Sequence, residues 1–124
     1  MIKLKLLSIG LFLSLIITGC SDTKEVETIK QSKLGMCPTA TVEKMVDGFF
    51  GDPSWESDMT DKGVKFVNIG GDITYADKPV RAVIQFTFSK DETSFEYQAF
   101  EINGVPQNQF IASSLLQKMC ESAK

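Results

Sequence analysis

Histidine is missing from this 124-residue sequence. Its absence excludes Ser-His and Cys-His nucleophilic pairs, and it removes the commonest zinc ligand and the usual proton shuttle near neutral pH. Three cysteines are present, but they are too far apart for a C-x-x-C redox motif. The glycine pair Gly70-Gly71 has neither the spacing nor the lysine of a phosphate-binding loop. We therefore expect neither an enzyme nor a cofactor.

Long hydrophobic runs are also scarce, because the sequence has a single one. Lys3 and Lys5 precede an apolar stretch over residues 6–17. A helix over residues 6–19 would be about 21 Å long at about 1.5 Å per residue, which is too short for a hydrocarbon core of about 30 Å. Two lysines followed by a short apolar segment are typical of a secretory signal.

The apolar stretch ends in Ile17-Thr18-Gly19-Cys20, which resembles the lipobox of bacterial lipoproteins. The resemblance implies that residues 1–19 are a signal peptide and that Cys20 carries acyl chains such as palmitate as a membrane anchor. Several acyl chains hold a protein to a membrane stably, whereas one chain does so only marginally. The alternative is an ordinary signal peptide, or an uncleaved anchor, with a chance cysteine.

The residue after the lipobox cysteine bears on location. Ser21 stands at this position, and in bacteria with two membranes a serine rather than an aspartate is similar to lipoproteins of the outer membrane. The resemblance therefore implies the inner leaflet of the outer membrane, facing the periplasm. A host with a single membrane is the alternative.

The charge balance of the mature chain is acidic. Removal of residues 1–19 takes away Lys3 and Lys5, so that 11 basic and 16 acidic side chains remain and the formal net charge is −5. An acidic chain without a basic cluster argues against nucleic acid and against electrostatic binding to anionic lipid. We expect the lipid on Cys20 to supply the membrane attachment, another envelope protein to be the partner, and no metal to be bound.

Two cysteines remain once Cys20 is assigned to lipid. Cys37 and Cys120 form an even pair in an exported protein, and such a pair is most simply a disulfide. The bond would connect the two ends of the folded domain. The alternative is two unpaired buried thiols.

The mature chain divides into a tether and one domain. Residues 20–36 are polar and charged, which predicts a flexible tether that spans at most about 60 Å when extended. A short helix around residues 26–29 is the alternative. Residues 37–124 are expected to form a single globular domain, since their length suits one hydrophobic core.

Apolar spacing in residues 37–124 changes from helical to alternating and back to helical. A helical stripe predicts a helix over residues 39–50, and a second one predicts a helix over residues 108–121. Between them, strands are expected over residues 55–59, 64–75, 80–88 and 94–103. Gly70-Gly71 indicates a bulge or bend in the second strand. In the last strand, either a bulge near Ala99 shifts the register or both faces are covered.

This order predicts an α+β fold, with an N-terminal helix, a three- to four-stranded antiparallel meander and a C-terminal helix packed on the sheet. In element order alone, it resembles the cystatin-like and NTF2-like folds of small exported proteins.

Four residues are candidates for binding: Trp55, and the loop amides Asn103, Gln107 and Asn108. The leading hypothesis is a non-enzymatic protein-binding module of the envelope, acting as an assembly accessory or an inhibitor. One alternative is an exclusion or immunity lipoprotein of a phage or plasmid.

A second alternative is a small cell-wall hydrolase that uses carboxylates. Glu56, Asp58 and Asp61 cluster around a turn, and a pair of carboxyl groups is the catalytic unit of glycosidases. The same cluster suggests a calcium site, but it lacks the alternating oxygen ligands of an EF-hand loop. Acidic turns in an acidic protein are most often solvated surface.

Overall fold

The computed structural model describes residues 22–123. The predicted signal peptide and the predicted lipid-bearing Cys20 lie outside the described residues. In chain order the elements are α1 (Lys24–Gln31), α2 (Val42–Asp47), β1 (Gly51–Met59), β2 (Lys65–Tyr75), β3 (Lys78–Phe88), β4 (Phe95–Ile102), β5 (Val105–Pro106) and α3 (Gln109–Glu121). The strands form one antiparallel meander in the order β1-β2-β3-β4-β5.

The predicted α+β class, with helices before and after an antiparallel meander, is confirmed. The sheet has five strands rather than three or four. The additional strand is β5, whose two residues are too few to produce an alternating pattern in the sequence.

The two faces of the sheet differ, as alternation along a strand requires. In β3, Ala82, Ile84 and Phe86 face the helices and are at most 1% exposed. Their neighbours Val83 and Gln85 are half-buried and lie on the opposite face, here called the open face. The hydrophobic core therefore lies between the helices and one face of the sheet.

A register shift in β4 keeps its apolar residues on the core side. Tyr97 lies opposite Phe86, whereas Ala99 lies opposite Gln85, so that Gln98 is an extra residue. The predicted bulge near Ala99 is thus confirmed. Without it, the apolar residues that follow would lie on the open face.

The bulge or bend predicted at Gly70-Gly71 of β2 lies instead in β1, the strand that pairs with it. Gly70 and Gly71 pair with β3 in an unbroken register, while two residues of β1, Asp52 and Pro53, face Gly71 alone. Glycine is needed at position 71 because a Cβ there would lie 2.7 Å from the ring of Phe50. The two glycines therefore mark a close approach, and the bulge belongs to β1.

The prediction of a flexible tether over residues 20–36 is wrong for its described part. Residues 24–31 form α1, and the side chains of Val26 and Ile29 are 2% and 0% exposed. The helix packs against α2, β1 and β2. One apolar pair suffices here because it completes a core that other elements have already formed, rather than building one of its own. The folded domain therefore includes α1 and does not begin at Cys37.

The structure contains the disulfide that the cysteine count predicts. Cys37 and Cys120 are bonded, with Cα atoms 5.7 Å apart and a sequence separation of 83. The bond joins the segment before α2 to the last turns of α3. In the chain-entropy model, closing a loop of this length stabilises the folded state by about 4 to 5 kcal/mol.

Candidate functional site

The four residues predicted to bind a partner do not form one site. Trp55 lies in β1 at one edge of the sheet, while Asn103, Gln107 and Asn108 follow β4 and β5 at the other edge. The structure therefore does not bring Trp55 and the three amides together.

Each of the three amide side chains has a role within the domain. Asn103 has φ +50°, and its Oδ1 accepts a hydrogen bond from the Arg81 backbone N–H at 3.1 Å. The Gln107 amide donates to a carbonyl of its own loop at 2.8 Å. Asn108 is the N-cap of α3 and accepts from the Ile111 N–H at 2.9 Å. These amides stabilise the chain reversal before α3.

Trp55 is half-buried and supports a lysine. The Nζ of Lys30 lies 5.1 Å from the centroid of the indole ring, 2.6 Å from the Asp22 carboxylate and 3.7 Å from the Glu43 carboxylate. Partial burial disfavours the charged lysine, but the hydrogen bond to Asp22 and the surrounding carboxylates outweigh this effect and raise the pKa of Lys30. The ring therefore serves to hold α1 and Asp22 against β1.

The carboxylates of the proposed hydrolase lie on exposed surface. Glu56 and Asp58 share the open face of β1, and Asp61 lies in the turn that follows. The Asp58 carboxylate accepts a hydrogen bond from the N–H of Met59 at 2.8 Å. An acid/base pair needs two carboxyl groups in different environments, whereas these groups are all exposed. Within residues 22–123, no three His, Cys, Asp or Glu side chains form a cluster that suits a metal.

An apolar groove that the sequence analysis did not identify lies between α3, the end of α2 and the β2–β3 turn. Its volume is about 340 Å³. Its apolar lining consists of Phe49, Tyr75, Ala76, Phe110, Ile111 and Leu115. Lys118 is the charged side chain at its border. We call this surface the Phe110 groove.

Phe110 is the most unusual side chain of this groove. It is 86% exposed, while the seven other phenylalanines of the described chain are buried or half-buried. In α3 the core-facing stripe consists of Ala112, Leu115, Leu116 and Met119. Phe110 lies off this stripe at the first turn of the helix, so helical periodicity turns its ring toward solvent. The signal was therefore present in the sequence as an aromatic residue outside the helical stripe.

Comparison with known proteins gives no match to a family model, a curated protein or a solved structure. No property of a relative can therefore be transferred to this chain. Among residues 22–123, no helix is both long and apolar enough to cross a lipid bilayer.

Proposed function

We propose that this protein is a lipid-anchored binding module of the cell envelope, and that it contacts another envelope protein through the Phe110 groove. The lipobox resemblance at Cys20 supports the anchor. The disulfide between Cys37 and Cys120 supports an oxidising compartment. The observation that carries the binding role is the 86% exposure of Phe110 at the border of an apolar groove.

The gain from covering this surface follows from its composition. Full burial of an exposed phenylalanine side chain contributes about 1.5 to 3 kcal/mol. Aromatic side chains beside a pocket are typical binding hot spots. The partner that fits presents an apolar side chain to the groove and a carboxylate to Lys118. Binding of such a partner requires no catalytic group. We therefore propose that the protein acts as an assembly accessory or an inhibitor.

Crosslinking in intact cells tests the proposal. A photoreactive benzoylphenylalanine in place of Phe110 samples the groove, and the same group in place of the exposed Lys90 samples the opposite end of the sheet as a control. We expect one envelope protein to be captured from position 110 and not from position 90. The identified partner, once purified, should bind the wild-type protein and bind Phe110→Ser much more weakly. Equal capture from both positions contradicts the proposal.

Amide substitutions separate this proposal from the hydrolase hypothesis. In the triple variant Glu56→Gln, Asp58→Asn, Asp61→Asn, the fold should be retained because all three side chains are exposed. We expect partner binding and the cellular phenotype to survive. Loss of the phenotype with partner binding intact supports catalysis by these carboxylates instead.

Fractionation of a host with two membranes tests the proposed location. We expect the protein in the outer membrane, in a form that protease added to intact cells does not reach. Recovery from the inner membrane contradicts the location, while the binding role stands.

A further inference from the structure

Helix α1 is attached to one corner of the sheet by contacts of different kinds. The hydroxyl groups of Thr23 and Ser57 form a hydrogen bond of 2.8 Å, and the Thr23 hydroxyl also accepts from the Val26 N–H at the start of the helix. The Glu25 carboxylate lies 3.2 Å from the Lys65 ammonium, at the first residue of β2. With Val26 in the core, the start of α1 is fixed to the domain.

This corner lies at the opposite end of the sheet from the Phe110 groove. Ser57 pairs with Val67 near the start of β2, whereas Tyr75 at the end of β2 lines the groove. The eight steps along the strand from Val67 to Tyr75 correspond to about 26 Å at about 3.3 Å per residue.

The chain between the predicted lipid and this corner is short. From Cys20 to Thr23 there are three Cα–Cα steps, which span at most about 11 Å. This span is far shorter than the separation between domain and bilayer that a flexible tether over residues 20–36 would allow. A lipid on Cys20 therefore holds the start of α1 within about one helix diameter of the headgroups.

From these distances, we infer that the domain is held against the bilayer by its α1 corner and that the Phe110 groove opens on the side away from the membrane. The occupant of the groove is then a different protein that approaches through the aqueous compartment, and not a second copy anchored in the same leaflet. The inference rests on the proposed lipid anchor at Cys20.

Charge supports the same orientation. The mature chain carries a formal net charge of −5, so an anionic leaflet repels the body of the domain. At the attached corner, Lys65 is paired with Glu25 at 3.2 Å and with Glu92 at 3.3 Å. These two carboxylates neutralise Lys65, so that it does not draw further parts of the domain onto the lipid, and the short link sets the approach.

Energy transfer to the membrane surface tests the orientation. The chain has one tryptophan, Trp55, which lies two residues from Ser57 at the attached corner. The acylated full-length mature protein is incorporated in vesicles of phosphatidylethanolamine and phosphatidylglycerol that contain dansyl-labelled phosphatidylethanolamine. A second protein with Trp55→Phe and Phe110→Trp places the only donor at the groove. Circular dichroism and thermal melting check that both proteins are folded.

We expect transfer from Trp55 to exceed transfer from position 110 by at least about twofold, since the two donors differ by about 20 Å along the strand direction. Insertion of a Gly/Ser segment of about 20 residues between Ser21 and Asp22 adds about 25 Å of relaxed reach. It should lower transfer from Trp55 and abolish the difference. Equal transfer from the two positions with the native link overturns the inference, as does a difference that the insertion leaves unchanged.

The outcomes also separate this inference from the proposed function. Failure of the protein to associate with vesicles contradicts the anchor itself, whereas association with equal transfer contradicts only the orientation. A crosslinked homodimer as the product from position 110 in cells overturns the claim that the occupant is a different protein.

Discussion

The two ends of the sheet use their side chains in different ways. At the α1 corner, polar groups bind one another within the domain, as Lys65 does with Glu25 and Glu92. At the Phe110 groove, an aromatic ring lies in solvent beside an apolar surface. Side chains with internal partners gain little from a new contact, while an exposed ring gains from any contact that removes water. This difference fits the proposed anchor at one end of the sheet and the proposed partner at the other.

Removal of the disulfide has the largest expected effect, because it frees the segment before α2 from the last turns of α3. In the mature protein, Cys37→Ala with Cys120→Ala should lower the free energy of unfolding by about 4 to 5 kcal/mol. For a domain of about 100 residues, this corresponds to a Tm decrease of about 20 °C or more. Thermal melting by circular dichroism measures it, and reduction of the wild-type protein should give a similar decrease. An unchanged Tm in both experiments contradicts a stabilising bond.

Truncation in α1 comes next and decides whether this segment belongs to the domain. Ile29 is 0% exposed, so Ile29→Ala should cost about 2 to 5 kcal/mol of unfolding free energy. The matched control Lys33→Ala replaces an exposed side chain of the same segment and should change it by less than about 0.5 kcal/mol. Urea denaturation compares the two variants. If residues 20–36 were a flexible tether, the two variants would have the same free energy of unfolding.

The third prediction compares an exposed apolar side chain at each end. Phe110→Ser should weaken binding to the identified partner by about 30-fold or more, the effect of losing about 2 kcal/mol, and leave Tm nearly unchanged. Met59, which is 55% exposed near the α1 corner, provides the control. Met59→Ser should leave affinity unchanged, as measured by titration calorimetry. An equal loss in both variants removes the distinction between the ends.

The smallest effect concerns the ion pairs of the α1 corner. Burial tends to raise the pKa of Glu25, but the hydrogen bond from its own backbone N–H and the Lys65 ammonium outweigh this effect and lower the pKa below its usual value of 4.5. A carboxylate with a lowered folded-state pKa adds stability above its unfolded-state value, and this contribution is lost as the pH falls through the folded-state value.

The variant Glu25→Gln tests this pH dependence. Its Tm should be lower than that of the wild type by no more than about 3 °C at pH 7, since an ion pair that is still partly exposed to water contributes little. The difference should shrink as the pH falls below 4.5, and added salt should reduce it at pH 7. A difference that stays constant across this range excludes titration of Glu25 as its cause.

Regular periodicity made most of the fold predictable. The alternation in β3 and the stripe in α3 each identify a buried face without any knowledge of its neighbours. Helix α1 escaped this reasoning because Val26 and Ile29 are too few to indicate a buried face. Their burial depends on the sheet and α2, which lie later in the sequence.

The candidate site was less predictable than the fold. Residue type alone makes Asn103, Gln107 and Asn108 candidates for binding, but the chain uses these amides to form its own turn and helix cap. Phe110 was the better candidate for an exposed binding residue, because it is an aromatic residue that lies outside the core-facing stripe of α3. The groove also needs Tyr75, and no local pattern relates that residue to α3 before the chain is folded.

The edges of the sheet have a further consequence for how the protein associates. Two strands at the edges of the sheet contain a proline, Pro53 in the bulge of β1 and Pro106 in the two-residue β5. A proline has no N–H to donate, and a bulge bends the strand away from a straight pairing partner. Strand addition is therefore opposed at β1 and at the short β5, which disfavours edge-to-edge aggregation through these two strands.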